Sequence, residues 1–158
     1  IPDNLFQGTP MSKRITVLVL SLLAAGSLKA QTAADSNAIR QAGLDYIESY
    51  YEGDGARMER ALHPELAKRI VRTNEQGRSQ LGQMSAMSLV VGTRAGGGKD
   101  TPVADRRKDI KIFDIYRNAA SAKIDASDWV DYLHLAKWNG RWVIVNVLWE
   151  LHPPRTQP

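Results

Sequence analysis

The side chains able to do acid–base or ligand-orienting chemistry are few and scattered. Asp131 sits in Trp129-Val130-Asp131-Tyr132-Leu133, a carboxylate among aromatic and aliphatic neighbours. In an apolar cavity such a group acquires the raised pKa of a general base or buried acid; at a strand's open end it is an ordinary rim residue. His63, followed by Pro64, is either a base titrating near neutrality or a residue closing a helix end. These two are the candidate catalytic groups. Tyr46 and Tyr50 stand one helical turn apart, where a phenol donates to a ligand carbonyl or packs in a core. Asn146 offers a donor and an acceptor inside the apolar run Trp142-Val143-Ile144-Val145-Asn146-Val147, to orient a ligand or to hold a loop.

Other chemistries lack their residues. The chain has no cysteine and three histidines, His63, His134 and His152, too dispersed for a metal site, and His152 belongs to the tail. No phosphate loop, dinucleotide fingerprint or His-Glu-x-x-His is present, and Gly96-Gly97-Gly98 alone carries no such meaning. No metal or cofactor is expected.

Helices come first and strands last. Asp35 or Ser36 is placed to cap a helix with Ile39, Ala42, Gly43, Tyr46, Ile47, Tyr50 and Tyr51 on one side and Arg40, Asp45, Glu48 and Glu52 toward water. Gly53-Asp54-Gly55 breaks it. A short helix follows over Ala56 to Leu62, with Met58 inward, and Glu65 to Val71 reads as a further helical turn or two. The stretch from Gly77 to Met84 is ambiguous, and Ser85 caps a short helix running to Gly92. Residues 95–102 form a flexible Gly-rich turn leading into a charged run. From Ile110 the period becomes two, with strands around Ile110 to Ile115 and Ala120 to Ala126. Two long strands, Trp129 to Trp138 and Arg141 to Leu151, then flank Asn139-Gly140, a pair suited to a type I′ hairpin turn.

That turn sets a register. Pairing Trp138 with Arg141 and stepping outward puts Lys137 opposite Trp142, Leu135 opposite Ile144, Leu133 opposite Asn146 and Asp131 opposite Leu148. Asp131, Leu133, Leu135, Trp142, Ile144, Asn146 and Leu148 then share one face. The other carries Tyr132, His134, Ala136, Val143, Val145, Val147 and Trp149. His134 and Asp131 therefore cannot form an acid–base pair without a bulge. Tyr46, Tyr50, Leu133, Leu135, Trp142, Ile144 and Asn146 are expected to line a ligand pocket under the first helix. Both faces are largely apolar, so the second is expected to be covered by another subunit, in a homodimer through Tyr132, His134, Val143, Val145, Val147 and Trp149.

The N-terminal stretch reads as a processing signal. Residues 11–30 hold basic Lys13-Arg14, an apolar run from Ile15 to Ala25, and a segment ending at Ala30 suited to cleavage, the order of a secretory leader. The run is about eleven residues, short of the roughly 20 that span a bilayer, so no stable membrane span is expected. Residues 1–10 read as an upstream extension, and residues 31–158 as a single domain with its core at about 36–152. Setting aside Lys13, Arg14, Lys29 and Asp3 lowers the formal net charge from +4 to +2, which gives no reason to expect a nucleic-acid partner. The expected location is periplasmic or secreted.

Tyr46-Ile47-x-x-Tyr50-Tyr51-x-Gly53-Asp54, Leu62-His63-Pro64, Asp131-Tyr132-Leu133-His134-Leu135 and Lys137-Trp138-Asn139-Gly140-Arg141-Trp142-Val143-Ile144-Val145-Asn146 resemble the nuclear transport factor 2-like superfamily, and within it the putative lumazine-binding family. The resemblance runs from Ala38 to about His152. It implies an α+β cone, in which N-terminal helices pack on a strongly curved antiparallel sheet with a pocket inside, and commonly a dimer through the sheet's outer face. It implies no one activity, because the superfamily includes ketosteroid isomerases, scytalone dehydratases and polyketide cyclases beside binding and assembly proteins. The function read from the sequence is an exported small-molecule-binding or accessory domain with a partly apolar pocket. The alternative is a cofactor-independent isomerase, dehydratase or cyclase using a pocket carboxylate or histidine.

Overall fold

The computed structural model describes the backbone from Ser12 to Pro153 and the side chains from Thr32 to Pro153. Residues 1–11, and the side chains of the leader expected at residues 11–30, lie outside what it describes. The chain divides into two units, Ile1–Ala34 and Asp35–Pro158, and among the described residues the second holds all the strands. Among the described residues no helix is long and apolar enough to cross a membrane.

The order is α1 (Ser12–Glu52), α2 (Gly55–Ala61), β1 (Leu62–Thr73), β2 (Ser79–Ser85), α3 (Ala86–Arg94), β3 (Lys108–Tyr116), β4 (Ala119–Ala126), β5 (Trp129–Trp138) and β6 (Arg141–Leu151). Six strands form one unclosed sheet in the order β2-β1-β6-β5-β4-β3. The α+β class holds, but the sheet is mixed. β1 runs parallel to β6, Lys68 beside Val147, and the other neighbours are antiparallel.

In α1 the expected apolar side is buried, with Ile39 and Ile47 fully covered. The helix does not begin at Asp35 or Ser36. It runs through them, and Asp35 accepts from Lys137 Nζ at 2.8 Å and Trp142 Nε1 at 3.0 Å. Asp45 does not face water either: it is buried between Arg57 Nε (2.9 Å) and Arg60 Nε (3.1 Å). α1 stops where Gly53 takes φ 72°, and Asp54 caps α2 by accepting from Arg57 N at 3.0 Å. Ser85 caps α3 as expected, its hydroxyl accepting from Ser88 N while Ser88 Oγ accepts from Ser85 N.

Glu65 to Val71 is strand, not helix. Within β1, Leu66, Lys68 and Ile70 alternate inward. The polar head of Lys68 at an inward position conceals that two-residue period from a hydropathy reading.

The β5–β6 hairpin has the expected bounds and turn: Asn139 and Gly140 have φ 49° and 76°, the signs of a type I′ turn. The register follows the turn as far as Leu135 opposite Ile144. His134 then pairs with Asn146, so Val145 is an extra residue, a β-bulge. Beyond it the expected faces are exchanged: Val147 and Trp149 join the core side, while Asn146 and Leu148 go outside with Tyr132 and His134. Of the residues expected at a dimer face, Val143 and Val147 are buried, Trp149 packs against the core side, and Tyr132 and His134 remain on the outer face.

Candidate functional site

Three neighbouring strands bring together a buried charge pair. On β1 the alternation aims Lys68 inward, and on β5 it aims Asp131 inward, opposite Trp149 of β6. Lys68 is 4% exposed and Asp131 0%. Lys68 Nζ donates to Asp131 Oδ1 at 2.6 Å and to the Tyr46 hydroxyl of α1 at 2.7 Å. Trp129 Nε1 donates to the other carboxylate oxygen, Oδ2, at 2.7 Å. Around the ammonium stand three rings, with Nζ 4.8 Å from the centroid of Trp149, 5.3 Å from Trp129 and 5.4 Å from Tyr46.

A charge so removed from water costs several kcal/mol unless its partners are well placed. Here one carboxylate, one phenol hydroxyl and the two indole rings supply the compensation. Burial pulls the Lys68 amine below its ordinary 10.5, with the charge and hydrogen bond of Asp131 pulling back. Burial, reinforced by the negative charge of Asp131, holds the Tyr46 phenol well above 10.0, so Tyr46 stays neutral at any physiological pH.

Over this pair opens a pocket of about 430 Å³. Tyr46 and Tyr50 of α1, Met58 of α2 and Leu89 of α3 form one side. Lys68 and Arg72 of β1, Met84 of β2, Trp129, Trp149 and Leu151 form the other, with Asp128 at the edge, so the wall is mainly apolar. Tyr50 meets Trp129 edge-to-face at 5.2 Å, and Trp129 meets Trp149 at 6.5 Å. Gly98 backs Tyr50. Its N–H donates to the Tyr50 carbonyl at 3.0 Å, and a Cβ on it would lie 2.4 Å from Tyr50 Cε1, so the Gly-rich turn is a packed support for the pocket wall.

Of the residues expected to bind ligand, Tyr46 and Tyr50 reach this pocket. Leu133, Leu135 and Ile144 are packed in the core, nearer the turn end of the hairpin, and are not on the pocket wall. Trp142 lies with them, its indole nitrogen bonded to Asp35. Asn146 is on the outer face because of the bulge, bonded to Arg69 Nη1 at 3.0 Å and 3.4 Å from His134 Nδ1. His63 is the second residue of β1, with its ring against Trp138 and its Nδ1 accepting from Glu65 N at 3.2 Å, and does not line the pocket. His152 is half-buried beside Asp125. Among the described residues no group of three His, Asp or Glu side chains could hold a metal ion.

Lys68, Arg72, Trp129 and Trp149 are the site residues that sequence reasoning missed. The one available signal was the alternation of β1, which puts the cations Lys68 and Arg72 in phase with Leu66 and Ile70.

A family model described as "Putative lumazine-binding" matches residues 34–150. Among solved structures, a nuclear transport factor 2-like protein of unknown function from Shewanella baltica OS155 is 21% identical over 77% of this chain and 96% of that one, with a TM-score of 0.58. A similar protein of unknown function from Methylobacillus flagellatus KT is 20% identical over 76% and 94%, TM-score 0.58. A nuclear transport factor 2-like protein with a cystatin-like fold from Novosphingobium aromaticivorans is 12% identical over 85% and 91%, TM-score 0.60. These are likenesses of fold. No curated protein sequence matches the chain.

Proposed function

The chain belongs to the putative lumazine-binding family and has the nuclear transport factor 2-like fold, and from that premise we propose that its domain is a binding or accessory module for a small, flat, partly apolar molecule. The supporting observation is the saturated floor of the pocket. Asp131 gives one oxygen to Lys68 and the other to Trp129, and it is wholly covered. A general base must reach a ligand proton at about 3 Å, and a carboxylate so engaged does not. His63, the other candidate base, is turned to Trp138. The rival reading, an isomerase, dehydratase or cyclase using one of these groups, draws no support from either. The rings of Tyr50, Trp129 and Trp149 instead offer faces and edges for stacking.

Thermal-shift screening of aromatic fragments tests the reading. Fragments that bind the folded state raise Tm by an amount that grows with the logarithm of one plus the ratio of free fragment concentration to Kd, and Trp149→Ala should abolish the shift without unfolding the protein. A screen without a hit, or hits indifferent to Trp149→Ala, refutes it.

Two further proposals rest on the sequence. The tripartite stretch at residues 11–30 supports export, and N-terminal mass analysis of the secreted or periplasmic protein should find a chain starting near Gln31. A homodimer would use the outer face as the bulge leaves it, with Tyr132, His134, Val145 and Leu148. Tyr132 and Leu148 are each 50% exposed. Light scattering showing a monomer ends that proposal.

A further inference from the structure

Lys68 is the one primary amine among the residues lining the pocket. We infer that it captures aldehyde- or ketone-bearing ligands covalently, as a reversible protonated imine with Asp131 as counter-ion. The inference rests on the pocket reading above and gives it a ligand class.

The geometry supplies each proton movement. The Lys68 ammonium gives a proton to Asp131 Oδ1, 2.6 Å away. The freed nitrogen pair attacks the carbonyl carbon, the C–N bond forms, and the C=O π pair moves to oxygen. The Tyr46 hydroxyl, 2.7 Å from Nζ, takes a proton from the nitrogen and passes its own to that oxygen, giving a neutral carbinolamine. The nitrogen pair then forms C=N while the C–O bond breaks. The hydroxyl leaves as water on the proton of the Tyr46 hydroxyl, and Asp131, covered from the ligand but beside that phenol, gives its proton to Tyr46 and returns to carboxylate. One carbonyl and one ammonium become one imine cation and one water, with no oxidant or co-reactant.

The surroundings suit the product as well as the reactant. Positive charge on the nitrogen is present before and after, so the carboxylate at 2.6 Å and the rings of Trp149 and Trp129 stabilise both states. Burial among these rings keeps bulk water from the imine and slows its hydrolysis. The same burial favours the neutral, nucleophilic amine, as in other lysines that form imines in apolar sites.

Benzaldehyde with cyanoborohydride, followed by peptide mapping of the full chain, tests this, with benzyl alcohol as a non-condensing probe followed by saturation-transfer NMR. The expected result is one benzyl group on Lys68, on the order of tenfold above the label on exposed Lys111, because the pocket holds amine and carbonyl together. Lys68→Arg keeps a cation for Asp131 and should lose the label at position 68, with Lys111 labelled as before. If benzyl alcohol binds the unmutated pocket and Lys68 carries no more label than Lys111, the covalent inference is overturned and the pocket reading stands. If neither probe engages the pocket, both are overturned.

Discussion

Asp131→Asn tests the energetics of the buried pair directly. Asp131 and Lys68 are 0% and 4% exposed, so removing the carboxylate charge leaves an ammonium that solvent cannot reach. Losing one partner of such a pair costs about 3–5 kcal/mol, a large part of the roughly 5–15 kcal/mol that holds a domain together. Asparagine still offers an oxygen to Trp129 Nε1, so the loss reports the charge and not an orphaned indole. The pH dependence has a definite sign. Lys68 already sits below 10.5 in the folded state, and both contributions of Asp131 act to raise it, so the variant depresses it further. A lysine with a folded pKa below its unfolded one binds fewer protons when folded, and stability therefore rises with pH. The penalty is complete below the folded pKa and fades as pH climbs from there toward 10.5. Guanidinium unfolding followed by tryptophan fluorescence, near neutrality and again near 10.5, should show a large loss that shrinks at the higher pH. Adding Lys68→Met should recover part of the neutral-pH loss. A loss under about 1 kcal/mol, the size of an exposed pair, with no change across pH, would refute the reasoning.

Gly98→Ala drives a Cβ to 2.4 Å from Tyr50 Cε1, and it should cost about 1–3 kcal/mol through overpacking and weaken fragment binding in parallel. Gly92→Ala, in α3 with nothing within 4 Å, is the control and should be neutral or slightly stabilising; equal effects at the two glycines would sink the packing argument. Arg57→Met removes a guanidinium shared by Asp45, Glu48 and Glu52. Burial raises Asp45, but hydrogen bonds from Arg60, Arg57 and Gln41 leave it below 3.8, and Lys108 foremost, with Arg57, holds Glu48 below 4.5 against its own burial. Depressed carboxylates stabilise the fold above their ordinary values and lose that contribution as pH falls through 4.5 and 3.8 toward the folded values. The variant should therefore have a lower Tm at neutral pH and a shallower acid decline in circular-dichroism melts, and an unchanged acid limb would count against it.

Local rules made much of the fold legible. Asn139-Gly140 set the turn because two consecutive positive φ angles suit few residue pairs, and Ser85 marked the start of α3 through its own hydrogen bonds. The face of α1 followed from apolar spacing, which brought Tyr46 and Tyr50 to the pocket. What escaped depends on partners remote in the chain. β1 is a strand because β2 and β6 supply its ladders, and its inward lysine is tolerated only because Asp131 waits on β5. Asp35, placed to begin a helix by its type, instead serves Lys137 and Trp142. Strict alternation points Asn146 inward, and no sequence rule interrupts it at Val145.

That extra residue makes the hairpin two pieces with opposite parity. Between the turn and Val145 the even-numbered residues of β6, Trp142 and Ile144, face the core; past it the odd-numbered Val147 and Trp149 do. A chain lacking one residue here would present the same inner side chains on a plainer, less bent strand, with Ile144 followed directly by an outward Asn146. The turn end and the pocket end of β6 are thereby uncoupled. Removing that one residue alters how the strand bends beside the pocket, and leaves unchanged which side chains form its wall.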